Sequence, residues 1–162
     1  MLIYITGISG SGKTTLAKAL QTKISHSVVI DGDEIRETVN RDLGFCLEDK
    51  RENIRRHNAI IQVLYNQGVT VIAALMASIV DERARILTYC KESLLIQLTT
   101  PESVCAARDP KRFYATNTPV NLFYKPLQNP HLLIDTSVVT VDEAVELILT
   151  AYLKRKISSG AA

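Results

Sequence analysis

The chain has 162 residues, 46% hydrophobic and 22% charged, and its 19 basic and 17 acidic side chains leave a formal net charge of +2. That length allows one domain with a full core and excludes a separate substrate domain, and the near-neutral balance excludes a large basic field aimed at nucleic acid. No apolar run is long enough to span a bilayer, no signal peptide precedes the first strand, and Cys46, Cys90 and Cys105 form no C-x-x-C pair, so a cytoplasmic protein with no membrane partner is expected.

The first predicted element is the β-rich run Leu2-Ile3-Tyr4-Ile5-Thr6. Behind it stands Gly7-Ile8-Ser9-Gly10-Ser11-Gly12-Lys13-Thr14, then Thr15 and a helix-forming run to Leu20. This is the phosphate-binding pattern G-x-x-x-x-G-K-[ST], set between a strand and a helix as its chemistry needs. Glycines let successive backbone N–H groups converge on phosphate oxygens, and the helix N-terminus adds partial positive charge. Residues 7–15 are therefore expected to bind ATP. Lys13 bridges the outer phosphates and takes part in catalysis, and the Thr14 hydroxyl binds the magnesium ion (Mg2+).

Ser27-Val28-Val29-Ile30 is a second strand ending at Asp31-Gly32-Asp33. Phosphoryl transfer to a hydroxyl needs a group that orients it and accepts its proton. Asp31 is assigned that role, and Asp33 either binds magnesium through water or orients the substrate. The competing reading is a D-G turn whose aspartates cap a helix. Arg36 either clamps an anionic substrate group or lies on the surface.

After a turn at Leu43-Gly44-Phe45, a long helix spans about residues 48–67 and stops at Gly68. Ile54, Ile61 and Leu64 mark its buried face. Lys50 and His57 share that spacing, with Asn53 one step round, while Arg51 and Arg55 point to solvent. Polar groups on a buried face must be paired or must meet a ligand. Lys50 and Asn53 are assigned to a ligand, and His57 to the core with its hydrogen bonds satisfied.

Residues 69–75 form a continuous apolar run, the mark of a strand buried on both faces of a parallel sheet. A helix over 81–91 and a strand over 94–98 follow, and Pro101 opens a short helix to about residue 107. The stretch 108–130 is rich in proline, asparagine and aromatics and reads as a lid, which a phosphotransferase needs to keep water from the γ-phosphate. Residues 132–135 are the last strand. Thr140 and Glu143 make a capping box for the final helix, and 158–162 form a loose tail. The fold class is α/β of the P-loop NTPase type. One domain over 1–157 has a five-stranded parallel sheet, helices on both faces, and ligands at the carboxyl ends of the strands.

Six pieces of the chain together resemble the adenylylsulfate (APS) kinase family. They are residues 7–15, residues 30–36, Arg41-Asp42-Leu43-Gly44-Phe45, Glu52-Asn53-Ile54-Arg55-Arg56, Arg108-Asp109-Pro110-Lys111, and Tyr124-Lys125-Pro126 with Asn129-Pro130. The resemblance implies an ATP-dependent kinase that phosphorylates the ribose 3′-hydroxyl of adenosine 5′-phosphosulfate. It implies that Asp31 contacts that hydroxyl, that Arg36 and Asn53 hold the phosphosulfate and ribose, and that Phe45 stacks on the base. Lys111 would reach the substrate from the lid, Arg108 would pack on ATP, and a homodimer is implied as well.

The departures from the family pattern lie on the acceptor side. Lys50 stands where the family has arginine, keeping the charge and losing the bidentate fork. Met76-Ala77-Ser78-Ile79-Val80 stands where the family reads Ile-Ser-Pro-Tyr-Arg; Ala77 fills the serine position unless Ser78 substitutes with a one-residue shift, and Met76 and Ala77 are the expected substrate contacts. The lid after Tyr114 is shorter, and Phe113 or Phe123 either replaces the family's adenine-facing aromatic or packs within the lid. The alternative acceptor is cytidine diphosphoramidate, the substrate of an APS-kinase-like relative of capsule biosynthesis that performs the same 3′-phosphorylation. A module that binds ATP without transferring phosphate is the remaining reading, and intact Lys13, Thr14, Asp31 and Asp33 argue against it.

Overall fold

In the computed structural model of the protein, residues 1–76, 78–109, 114–115 and 124–159 are described. The central strand β1 (Leu2–Thr6) is buried along its whole length. Side chains alternate across a strand, so Ile3 and Ile5 enter one core while Leu2 and Tyr4 enter the other. Each such fully buried aliphatic side chain contributes about 1.5–3 kcal/mol relative to exposure.

Around β1 the sheet has the order β2-β3-β1-β4-β5, with β2 (Ser27–Asp31), β3 (Thr70–Ala74), β4 (Ser93–Leu98) and β5 (Leu132–Ile134). Every pairing is parallel. On one face pack α1 (Lys13–Gln21) and α6 (Val141–Ser159), through Leu16, Leu20, Val145 and Ile148. On the other pack α3 (Leu47–Asn66) and α4 (Val80–Tyr89), through Ile61 and Ile86. The short helix α2 (Gly32–Glu37) follows directly on β2, and α5 (Glu102–Ala107) follows β4 after residues 99–101. No helix among the described residues is long and apolar enough to cross a membrane.

Helix ends follow local chemistry. Gly68, at φ +75°, ends α3 in the left-handed conformation. Its N–H bonds to Tyr65 O at 3.0 Å and the Val69 N–H to Leu64 O at 3.3 Å, a Schellman closure. At α6 the expected capping box forms: Thr140 N donates to Glu143 Oε2 at 2.8 Å, and Glu143 N to Thr140 Oγ1 at 3.2 Å.

A short helix begins at Gly32 with Asp31 as its cap, as the competing reading of Asp31-Gly32-Asp33 has it. One expectation differs from the structure. The helix α6 continues to Ser159, into the stretch read as a loose tail, with Ser158 Oγ bonding back to Lys154 O at 3.0 Å.

The region read as a lid is anchored where it returns to the sheet. Buried Gln97 on β4 donates from Nε2 to the Tyr124 hydroxyl at 2.6 Å and accepts from Leu127 N at 3.0 Å. Buried Arg83 on α4 donates to Lys125 O at 2.6 Å and to Pro126 O at 3.2 Å.

Candidate active site

The carboxyl ends of β1, β2 and β3 open onto a cavity of about 670 Å³, a size usual for small-molecule sites. One half of its wall is the phosphate loop. Gly10 and Gly12 hold φ of +78° and +91°, which side-chain-bearing residues rarely adopt. Gly10 also lies so close to α5 that a Cβ there would stand 2.4 Å from Cys105 O. Lys13 folds over the loop and donates from Nζ to Gly7 O at 2.9 Å and Ile8 O at 2.7 Å. Burial lowers its pKa to about 8, against the opposing pull of Asp33 and Asp31.

Thr136, just past β5, ties this half together. Its hydroxyl donates to Ser11 O at 3.1 Å, meets Thr100 Oγ1 at 2.9 Å and accepts from Arg108 Nη1 at 2.8 Å. One donor and two acceptor positions are thereby all used, with Thr100 as donor in the second contact. Arg108 Nη2 also donates to Thr136 O at 2.9 Å, so the arginine is bound into this joint while it lines the cavity. The Tyr114 hydroxyl donates to Ser9 O at 2.9 Å, joining the lid region to the loop.

Asp31 stands where the two halves meet. Its Oδ1 accepts from Asp33 N at 2.9 Å and Glu34 N at 3.3 Å, which caps α2. Its Oδ2 accepts from Thr14 Oγ1 at 2.5 Å. The capping reading is therefore correct for Asp31, and the same carboxylate also faces the phosphate loop. Asp33, in the first turn of α2, lines the cavity beside it.

The other half of the wall comes from α2, α3 and the end of β3. Arg36 donates to Gly44 O at 3.0 Å, and its guanidinium carbon lies 4.6 Å from the centre of the Phe45 ring. Phe45 itself is 59% exposed at the cavity mouth. Lys50 is half-buried on the same lining. Asn53 is oriented by a residue that sequence reading did not single out: Nδ2 of fully buried Asn40 donates to Asn53 Oδ1 at 2.8 Å. That bond leaves the Asn53 NH2 end for the cavity. Met76 lines the far wall and accepts from Thr6 Oγ1 on its backbone oxygen at 3.2 Å.

His57 departs from its expected role as a satisfied core histidine. It is buried, it lines the cavity, and its Nε2 has no hydrogen-bond partner among the described residues. Burial lowers its pKa to about 4, helped by Arg36 and opposed by Asp31 and the backbone of Asn53 and Gly32. The ring is thus neutral near pH 7. An unpaired buried polar atom of this kind costs about 1–3 kcal/mol.

The cavity thus unites Ser9, Gly10, Gly12, Lys13, Thr14 and Thr15 with Asp31, Asp33, Arg36, Phe45, Lys50, Asn53, Met76 and Arg108. Gly7, Ile8 and Ser11 do not line it; the carbonyls of Gly7 and Ile8 hold Lys13 instead. The expected substrate contacts Ala77, Lys111 and Phe113 lie outside the described residues. No cluster of three or more His, Cys, Asp or Glu side chains suited to a metal occurs among the described residues.

A family model described as adenylylsulphate kinase matches residues 1–123. A probable adenylyl-sulfate kinase of Halalkalibacterium halodurans is 37% identical over 94% of this chain and 82% of its own. An adenylyl-sulfate kinase of Geotalea uraniireducens is 33% identical over 99% of this chain and 84% of its own. Among solved structures, the Mycobacterium tuberculosis APS kinase in complex with AMPPNP and APS is similar, with a TM-score of 0.78 at 28% identity. That match covers 92% of this chain and 95% of the mycobacterial one.

Proposed function

The chain belongs to the adenylylsulphate kinase family, and we propose that it transfers the γ-phosphate of ATP to the ribose 3′-hydroxyl of adenosine 5′-phosphosulfate or a closely similar nucleotide. The observation that carries this reading is the 2.5 Å contact between Thr14 Oγ1 and Asp31 Oδ2. It joins the phosphate loop to a buried carboxylate that borders the same cavity, so donor and acceptor chemistry share one boundary.

Placement in the cavity supports the following roles. The loop amides and Lys13 hold the outer phosphates of ATP. Asp31 orients the acceptor hydroxyl and takes its proton as the oxygen–phosphorus bond forms and the bond to the β-phosphate oxygen breaks. Arg36 and Lys50 supply positive charge for the acceptor's 5′-linked anion, Asn53 holds its ribose, and Phe45 offers a face for its base. The hydroxyl of Thr14 and the carboxylate of Asp33 are hard oxygen donors. They are too few to enclose a cation, as suits a magnesium ion that takes further oxygens from phosphate. Such an ion supplies charge neutralisation on the β- and γ-phosphates when bound.

A second acceptor, cytidine diphosphoramidate, is favoured by one observation. Lys50 and Met76, both departures from the family pattern, stand on the acceptor wall, whereas the phosphate loop keeps the full motif. The test is coupled ATP turnover with both acceptors offered side by side, with the product position read by phosphorus NMR. Turnover of adenosine 5′-phosphosulfate to a 3′-phosphate supports the first reading, and turnover of the cytidine compound alone supports the second. If neither acceptor turns over while ATP binds, both acceptors are refuted.

A further inference from the structure

We propose that His57 is a specificity-determining residue whose Nε2 hydrogen-bonds an uncharged polar group of the acceptor nucleoside. This rests on the acceptor reading of the cavity given above. The helix α3 presents Lys50, Asn53 and His57 along one cavity-facing side over two turns, about 10 Å of helix axis. Burial deepens along that line: Lys50 is half-buried, Asn53 is 9% exposed and His57 is 2% exposed.

His57 therefore stands at the inner end, bordered by Asp31, Gly32, Ile54 and Leu75 on the same lining. Its Nε2 has no hydrogen-bond partner among the described residues, and the side chains of Ile54 and Leu75 on this lining offer it none. A leucine would fill such a corner without an unpaired nitrogen, so the imidazole gains its partner from what enters the cavity. The cationic side chains on this wall, Arg36 and Lys50, lie nearer the mouth and suit the anionic end of the acceptor. With the one N–H of the neutral imidazole turned to the backbone of Asn53, Nε2 is left as an acceptor, which suits a hydroxyl or amino group of a nucleoside.

The experiment compares the native protein with His57→Leu and His57→Gln by calorimetry. AMP, CMP and 2′-deoxyadenosine 5′-monophosphate are each titrated in the presence of ADP, and KM and kcat are measured with adenosine 5′-phosphosulfate. Loss of one well-placed hydrogen bond should weaken the best-bound probe about tenfold in His57→Leu and raise acceptor KM with little change in kcat. Affinity for ADP should stay within about twofold. His57→Gln, which returns an amide near the Nε2 position, should recover most of the loss. If 2′-deoxyadenosine 5′-monophosphate binds the native protein more weakly than AMP and this difference vanishes in His57→Leu, the partner is the ribose. A difference between AMP and CMP that vanishes identifies the base.

If the native protein binds a probe and His57→Leu binds it equally well, the inference is wrong and the acceptor reading stands. If His57→Leu loses ADP affinity and thermal stability along with the probe, the histidine is structural and the inference is wrong. If the native protein binds none of the probes and does not turn over adenosine 5′-phosphosulfate, the acceptor reading falls and the inference with it.

Discussion

Replacing Asp31 with asparagine preserves the outline of the side chain and removes its charge and its ability to take a proton. The amide oxygen can still accept from Asp33 N and Glu34 N, now at 2.9 and 3.3 Å, and asparagine caps helices about as well as aspartate. On the other prong the amide NH2 can donate to Thr14 Oγ1, reversing a hydrogen bond that now runs from the threonine. The structural loss is then the charge at the α2 N-terminus, about 0.3–1 kcal/mol, or at most about 4 °C in Tm for a chain of this size. Loss of a general base costs about 10²- to 10⁴-fold in rate, about 3–5 kcal/mol in the barrier. The two effects are separable. Asp31→Asn should keep ADP affinity and nearly native Tm while kcat falls at least a hundredfold. Asp31→Ala should lose the same activity and about 1 kcal/mol of stability besides, through the missing cap. The checks are coupled turnover with adenosine 5′-phosphosulfate, ADP titration calorimetry and scanning calorimetry. An Asp31→Asn protein with kcat within about tenfold of native would refute proton acceptance by this carboxylate.

Gly10→Ala would force a Cβ to within 2.4 Å of Cys105 O from a backbone at φ +78°. The left-handed strain alone is about 1–2 kcal/mol, so Tm should fall by several degrees and ADP affinity at least about tenfold; native-like ADP binding would contradict the packing of the loop on α5. The His57 pKa of about 4 lies below its ordinary 6.5, so the unfolded chain binds the proton first. Stability is complete above about pH 6.5 and falls by about 3 kcal/mol as pH drops to about 4, and urea unfolding of His57→Leu should lack that component. Arg83→Met removes two charged hydrogen bonds to Lys125 O and Pro126 O. Stability should fall by about 2–4 kcal/mol, with faster proteolysis within residues 124–130; an unchanged cleavage pattern would count against Arg83 as the anchor of that segment.

What could be read in advance follows from how far apart the interacting residues lie in the chain. The phosphate loop is legible because its chemistry fixes consecutive residues, and the strands because burial on both faces leaves continuous apolar runs such as residues 71–75. The inward face of α3 is legible through its spacing, and Asn53 and His57 are both buried there. Spacing shows which way a side chain points and not whether it finds a partner, so the unpaired Nε2 of His57 was hidden. At Asp31-Gly32-Asp33 the cap signal is legible, but nothing local shows that the Asp31 carboxylate caps α2 with one oxygen and meets Thr14 with the other. The supports of the site depend on tertiary structure. Asn40 reaches Asn53 across 13 positions, Gln97 reaches Leu127 across 30, and Thr136 reaches Ser11 across 125. No local pattern marks such pairs.

The joint at Thr136 has an evolutionary consequence. Because one hydroxyl binds the phosphate loop, the end of β4 and Arg108 together, a change there should impair the enzyme with every acceptor alike. Side chains on α3 and after β3 stand apart from that joint, and effects of well-separated substitutions add nearly independently. On the acceptor reading proposed above, a lineage would exchange one acceptor for another by a few replacements around Lys50, His57 and Met76 while inheriting the phosphate donor site unchanged. Diversity among such enzymes should accumulate on one side of β1 and be scarce on the other.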